Sequence, residues 1–130
     1  MTTVLLDTHV VHWWSAEPER VSEAATKALE EADELAVAAI TWFELAWLAR
    51  RERIAVTVPI RSWLERLSAE LRTVGITPAI ADTAVSLPST FPGDPADRLI
   101  YATAIENGWR LITKDQKLHD HHQPRPVTLW

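Results

Sequence analysis

Short apolar runs, each stopping at a polar residue and each followed by a segment with helical patterning, recur along the whole 130-residue chain. That alternation is the strongest constraint on its fold. A strand bounded by helices on either side in sequence is buried on both faces, so it is apolar throughout and pairs in parallel. Residues 4–6, 35–40, 74–77, 109–113 and 127–129 read as such strands. Residues 8–14, 21–32, 41–50, 59–72, 78–87, 97–107 and 116–121 read as helices. Ser22 lies near the start of the second and Thr41 is the expected N-cap of the third. Pro59 suits a first helical turn, and Gly108 is the expected C-cap residue after residue 107. Pro88, Pro92, Gly93 and Pro95 make residues 88–96 a loop. A chain of this length predicts one domain, residues 1–130, with a core large enough to need no disulfide or structural metal.

The chain has no cysteine, which removes disulfide frameworks, thiolate metal sites and cysteine nucleophiles together. Nothing approaches the roughly 20 apolar residues of a membrane span, and Met1-Thr2-Thr3 lacks the basic start of a signal peptide. The expectation is a cytoplasmic protein with no membrane partner. The net charge of −5 argues against coating of nucleic acid by bulk attraction. Six arginines between residues 50 and 72 predict one basic surface or, equally, a set of solvated helix faces.

In parallel sheets functional groups gather at the carboxyl ends of the strands. Asp7 directly follows the first expected strand and Asp115 comes shortly after the strand ending at Thr113, although each can serve simply as a helix cap. Glu44 has Leu45, Trp47 and Leu48 as helical neighbours, so it lies at an apolar margin or is buried with a partner. Asp97 heads the face carrying Ile100, Tyr101 and Ala104; Asp94 precedes it on the proline loop, with Arg98 a candidate ion-pair partner for either. Converging acids repel one another, and a fold keeps them when a cation neutralises them. All-oxygen ligands suit Mg²⁺, with Mn²⁺ as a substitute. Phosphodiester hydrolysis is the chemistry such a site serves best. Without these five acids the remaining 13 balance the 13 basic residues, so a metal-loaded protein need not repel RNA.

The runs Leu5-Leu6-Asp7-Thr8-His9, Asp94-Pro95-Ala96-Asp97-Arg98-Leu99-Ile100 and Leu111-Ile112-Thr113-Lys114-Asp115, with Glu44 between them, resemble the PIN-domain ribonucleases. The set is most similar to the VapC-type toxins of toxin–antitoxin pairs and spans residue 4 to about residue 119. The resemblance implies a three-layer α/β/α sandwich with a central parallel sheet. It implies Mg²⁺- or Mn²⁺-dependent endonucleolytic cleavage of RNA. Asp7, Glu44, Asp97 and Asp115 fall on the family's acidic quartet, with Asp7 and Asp97 the firmest metal ligands and Asp94 an additional candidate. Thr8, Thr41 and Thr113 stand beside these acids and are expected to hydrogen-bond them. The resemblance also implies a homodimer, silenced by a cognate VapB-type antitoxin whose tail covers the acidic cleft. His9 and the stretch His119-Asp120-His121-His122 depart from the family pattern, and the histidine stretch is expected to be solvated surface.

Two competing functions share parts of this pattern. A phospho-receiver signalling module needs a second acid near Asp7 and an acid after the third strand, and neither is present. A catalytically inactive PIN-fold binding protein would lack one of the four acids, and all are present.

Overall fold

In a computed structural model, which describes residues 1–121 and 126–130, five parallel strands lie in the order β3-β2-β1-β4-β5. They are β1 (Thr3–Leu6), β2 (Glu34–Ala38), β3 (Arg72–Val74), β4 (Arg110–Ile112) and β5 (Thr128–Leu129). The helices are α1 (Thr8–Ala16), α2 (Glu23–Glu31), α3 (Ile40–Arg50), α4 (Ile60–Ser68), α5 (Pro78–Ser86), α6 (Pro95–Asn107) and α7 (Gln116–His119). The sheet is the central layer of a three-layer α/β/α sandwich. Successive residues of a strand point to opposite faces. Val4, Leu6, Val37 and Ile112 pack with α1 to α4, whereas Leu5, Ala36, Ala38 and Leu111 pack with α6. The chain winds outward from β1 through β2 to β3, then returns to β1's other side as β4. The crevice at the carboxyl ends of β1 and β4 is therefore the topological switch point, where open α/β sheets bind ligands.

Several element boundaries differ from the sequence expectation. The apolar run 35–40 divides: Ala39 donates to the Val74 carbonyl at 2.8 Å to end β2's pairing, then turns helical, and Ile40 already belongs to α3. Periodicity cannot separate a buried strand from a buried helix over so few residues. Thr41 is therefore not the N-cap; that position is Ala39, with no side-chain cap, and Thr41 is fully buried inside the first turn. The helix expected over 59–72 ends at Ser68, because Arg72 reaches Glu34 on the adjoining strand at 2.9 Å and starts β3. The strand expected over 74–77 is correspondingly displaced, and Thr77 instead caps α5. Pro95 and Ala96 join α6 because Asp94 caps it. Gly108 closes α6 in the left-handed region, φ 68°, where a side chain is strained.

The histidine stretch is not plain solvated surface over its described part. His119 is half-buried and bonded through both ring nitrogens, to the Thr113 carbonyl and the Thr128 hydroxyl. His121 packs edge-on against Phe91 and Tyr101. His122 lies outside the described residues. Among the described residues no helix is long and apolar enough to cross a membrane. The six arginines between residues 50 and 72 are all exposed.

Candidate active site

Asp7 is placed by β1. Its amide donates to the Ile112 carbonyl at 3.0 Å, which fixes it beside the end of β4. One carboxylate oxygen caps α1 by accepting from the Thr8 amide at 2.8 Å; the other accepts from the Thr113 hydroxyl at 2.6 Å. The capping reading of Asp7 thus holds, and it leaves the carboxylate facing the crevice. Burial pushes this carboxyl up, and the two hydrogen bonds oppose that shift.

Glu44, on α3, is half-buried with a partner, as an acid in that apolar setting requires. It accepts from the Thr8 hydroxyl. That hydroxyl has one proton, already committed to Glu44, so Thr41 must be the donor in the 3.3 Å Thr8–Thr41 contact. A buried relay, Thr41 to Thr8 to Glu44, results. Burial raises the Glu44 pKa most, the Thr8 hydrogen bond lowers it, and Asp7 and Asp94 raise it further. Replacing Thr8 by valine strands the buried Thr41 hydroxyl and takes Glu44's donor. We expect a loss of about 1–3 kcal/mol in urea denaturation, with Thr41→Val in the same background recovering part of it. A neutral Thr8→Val would exclude the relay.

Asp94 caps α6 through the Ala96 and Asp97 amides, and Asp115 caps α7 through the Lys117 amide. Asp97, one turn into α6, is not used as a cap. Its carboxyl is pushed up to about 7, first by burial, then by the charges of Asp94, Asp7, Asp115 and Glu44. These five acids line one open cleft of about 740 Å³, together with Lys114 and His9. Among the described residues no group of three or more acids and histidines is drawn together closely enough to hold a metal ion; the other four carboxylates lie within electrostatic reach of Asp97.

Three features were not legible in the sequence. Arg98 makes no ion pair with Asp94 or Asp97 among the described contacts. Its five N–H groups donate instead to the carbonyls of Ala84, Leu87, Pro88, Phe91 and Pro92 at 2.9–3.3 Å. Lys114 lines the cleft with its ammonium 5.8 Å over the Trp13 ring, for which only its place beside Asp115 was a signal. Phe43 and Trp47, stacked at 6.1 Å with planes 16° apart, form an apolar flank of the cleft and remain 64% and 49% exposed. Trp13 is buried, while Trp14, Trp42 and Trp63 are partly covered by the first core.

A doubly wound parallel sheet with acids gathered at its switch point is the architecture of a PIN domain. The PIN-domain family model matches residues 4–122, and the chain belongs to that family, in its VapC-type branch. It is 70% identical, over all 130 residues and the full length of both chains, to Ribonuclease VapC22 of Mycobacterium tuberculosis. Among solved structures it is similar to a toxin–antitoxin complex from Klebsiella pneumoniae, with a TM-score of 0.72, 23% identity and coverage of 98% of this chain and 96% of that one. It is similar also to VapBC2 of Rickettsia felis bound to a DNA fragment of its promoter, with a TM-score of 0.72, 16% identity and 98% of both chains covered. At these identities the solved structures establish the fold alone.

Proposed function

We propose that the chain is a single-domain, Mg²⁺-dependent endoribonuclease, with Mn²⁺ as a substitute, acting in the cytoplasm as the toxin of a toxin–antitoxin pair. The observation that carries this reading is the cleft itself: five carboxylates line one crevice at the switch point, where burial first and then the four neighbouring acids raise the Asp97 carboxyl to about 7. Capping accounts for Asp7, Asp94 and Asp115 but not for Asp97 and Glu44, which share the cleft with them, and a divalent cation relieves the repulsion among the five. Oxygen-only ligands in an open, hydrated setting fit Mg²⁺, which keeps several waters and takes few carboxylates. The 70% identical relative is named a ribonuclease, which agrees.

Asp7 and Asp97 would hold the metal, with Glu44 and Asp115 completing the site partly through water and Asp94 at its rim. When bound, the metal lowers the pKa of a water and stabilises charge on the phosphate. The chain's own residues do the rest. The Thr113 and Thr8 hydroxyls aim the carboxylates of Asp7 and Glu44. Lys114 and His9 line the same cleft and would meet the phosphate and the leaving oxygen. Water adds to phosphorus and gives up one proton, one phosphorus–oxygen bond breaks, and the departing oxygen takes up one proton, so the exchange balances. The exposed arginines beyond Trp47, where Arg51 lies 4.2 Å over the indole, offer contacts for flanking phosphates.

Purified protein should cleave single-stranded or looped RNA in Mg²⁺ or Mn²⁺ and stop in EDTA. Metal at about 100 times its Kd should also raise Tm by on the order of 10 °C. Full cleavage in EDTA, by protein cleared of contaminating nucleases, would overturn the reading.

The exposed Phe43–Trp47 flank supports a homodimer and a VapB-type antitoxin seated on this apolar edge, with a basic side chain reaching the acids. Expression of the chain alone should slow bacterial growth, and co-expression of the adjacent reading frame should restore it. A monomer by light scattering that is harmless to the cell would contradict both expectations.

A further inference from the structure

Thr113 lies behind the cleft, and its hydroxyl, amide and carbonyl are all engaged. It is fully buried at the carboxyl end of β4. Its hydroxyl donates to Asp7 at 2.6 Å and accepts the Asp115 amide at 3.0 Å, so two of the cleft's acids take their positions from one oxygen. Its amide donates to the Leu129 carbonyl at 3.1 Å. Its carbonyl, beyond the last paired residue of β4, has His119 Nε2 at 2.6 Å. A carbonyl only accepts, so Nε2 carries the proton. In the neutral ring Nδ1 is then the acceptor, and the Thr128 hydroxyl donates to it across 2.7 Å. The ring thus braces α7 and β5 against the end of β4. β5 is two residues long, and its pairing to β4 alone is a weak support for that end.

We infer that His119 is a positioning residue for the acidic cleft: it holds the Thr113 backbone, and through the Thr113 hydroxyl it sets Asp7 and Asp115. The inference rests on the reading of that cleft as a metal-dependent active site. It assigns work to a residue that the motif runs do not include. Outer partners of metal-binding side chains are worth about 10–100-fold in metal affinity or rate.

The test uses the full chain with His119→Ala, His119→Gln and Thr128→Val. Glutamine can offer an amide N–H to the Thr113 carbonyl and an oxygen to the Thr128 hydroxyl, so it keeps both contacts. Mn²⁺ affinity is read from the dependence of Tm on metal concentration. Cleavage is read as kcat and KM separately. Amide hydrogen exchange is read in metal-free protein. His119→Ala should weaken Mn²⁺ by about 10–100-fold and lower kcat with little change in KM. It should speed exchange of the Asp115 amide while leaving the Asp97 amide, capped by Asp94 on α6, unchanged. His119→Gln should restore Mn²⁺ affinity to within about threefold of the original, and Thr128→Val should fall between the two. An unchanged Asp115 exchange rate and Mn²⁺ affinity in His119→Ala would overturn the inference. So would acceleration of both amides alike, which marks a general loss of stability, or a glutamine variant no better than alanine. If the unmodified protein binds no Mn²⁺, the proposed function fails; the Asp115 exchange rate still decides whether His119 holds the cleft wall.

Discussion

Asp97→Asn is expected to lower RNA cleavage by about 10³-fold or more while the metal-free protein stays folded and, above pH 7, becomes more stable. The first effect follows from the charge removed. On the proposal that Asp97 is a ligand to the metal, its loss removes several kcal/mol of transition-state stabilisation, and about 4 kcal/mol is a factor of about 10³ in rate. The second follows from the direction of the pKa shift. Burial first, and then four neighbouring acids, raise the Asp97 carboxyl from 3.8 to about 7. A group whose folded pKa is raised contributes its stability below the unfolded value and loses it as pH climbs through the folded one. Metal-free protein should therefore weaken between about pH 4 and pH 7, by on the order of 2–4 kcal/mol from this group. Asparagine does not titrate, so the variant should show a shallower decline. Some decline persists, because burial also raises Asp7 and Glu44. Mn²⁺ should oppose the trend in the unmodified protein, since metal binding needs deprotonated carboxylates. Urea denaturation at pH 5 and pH 8, with and without metal, measures all of this. A variant that unfolds in metal-free buffer would make Asp97 a structural residue.

Arg98→Ala carries the largest stability effect we expect, about 3–5 kcal/mol. All five guanidinium N–H groups are spent on carbonyls of the segment from Ala84 to Pro92, and the guanidinium lies 5.7 Å over the Phe91 ring. Hydrogen bonds to a charged donor contribute about 1.5–3 kcal/mol each when buried and less when water can replace them. Deleting the donor leaves carbonyls such as those of Ala84 and Leu87, both on buried residues, without their partner. Arg98→Lys should recover only part of the loss, because an ammonium has three donors and no planar fork. Cleavage should fall further than stability alone explains, because the clamped segment leads directly into Asp94. The midpoint of urea denaturation reads the first effect and specific activity well below that midpoint reads the second. A loss under about 1 kcal/mol in Arg98→Ala would mean that water satisfies these carbonyls.

The sequence by itself determined the layer order and the address of the acids. Val4–Leu6, Leu111 and Ile112 are apolar on both faces, which only a covered parallel strand requires, and a parallel sheet gathers its strand ends on one edge. Asp7 follows one such strand directly and Asp115 stands three residues past the end of another, and Asp97 heads a helical face whose Ile100, Tyr101 and Ala104 are all buried. These are local signals, periodicity and adjacency, and local signals survive in one dimension. Tertiary structure alone decided the rest. Thr41 looked like a cap and is instead the start of a hydroxyl relay, because Ala39 turns into the helix first. Arg98 looked like a partner for Asp94 or Asp97 and instead gathers five carbonyls from the end of α5 and the loop after it, up to 14 residues away. His119 looked like solvated surface and instead braces Thr113 and Thr128. In each case the side chain has several chemically adequate partners within reach of its sequence, and the choice among them is made by which backbone groups folding leaves buried and unpaired. That pairing is a property of the assembled chain, so no residue type or spacing announces it.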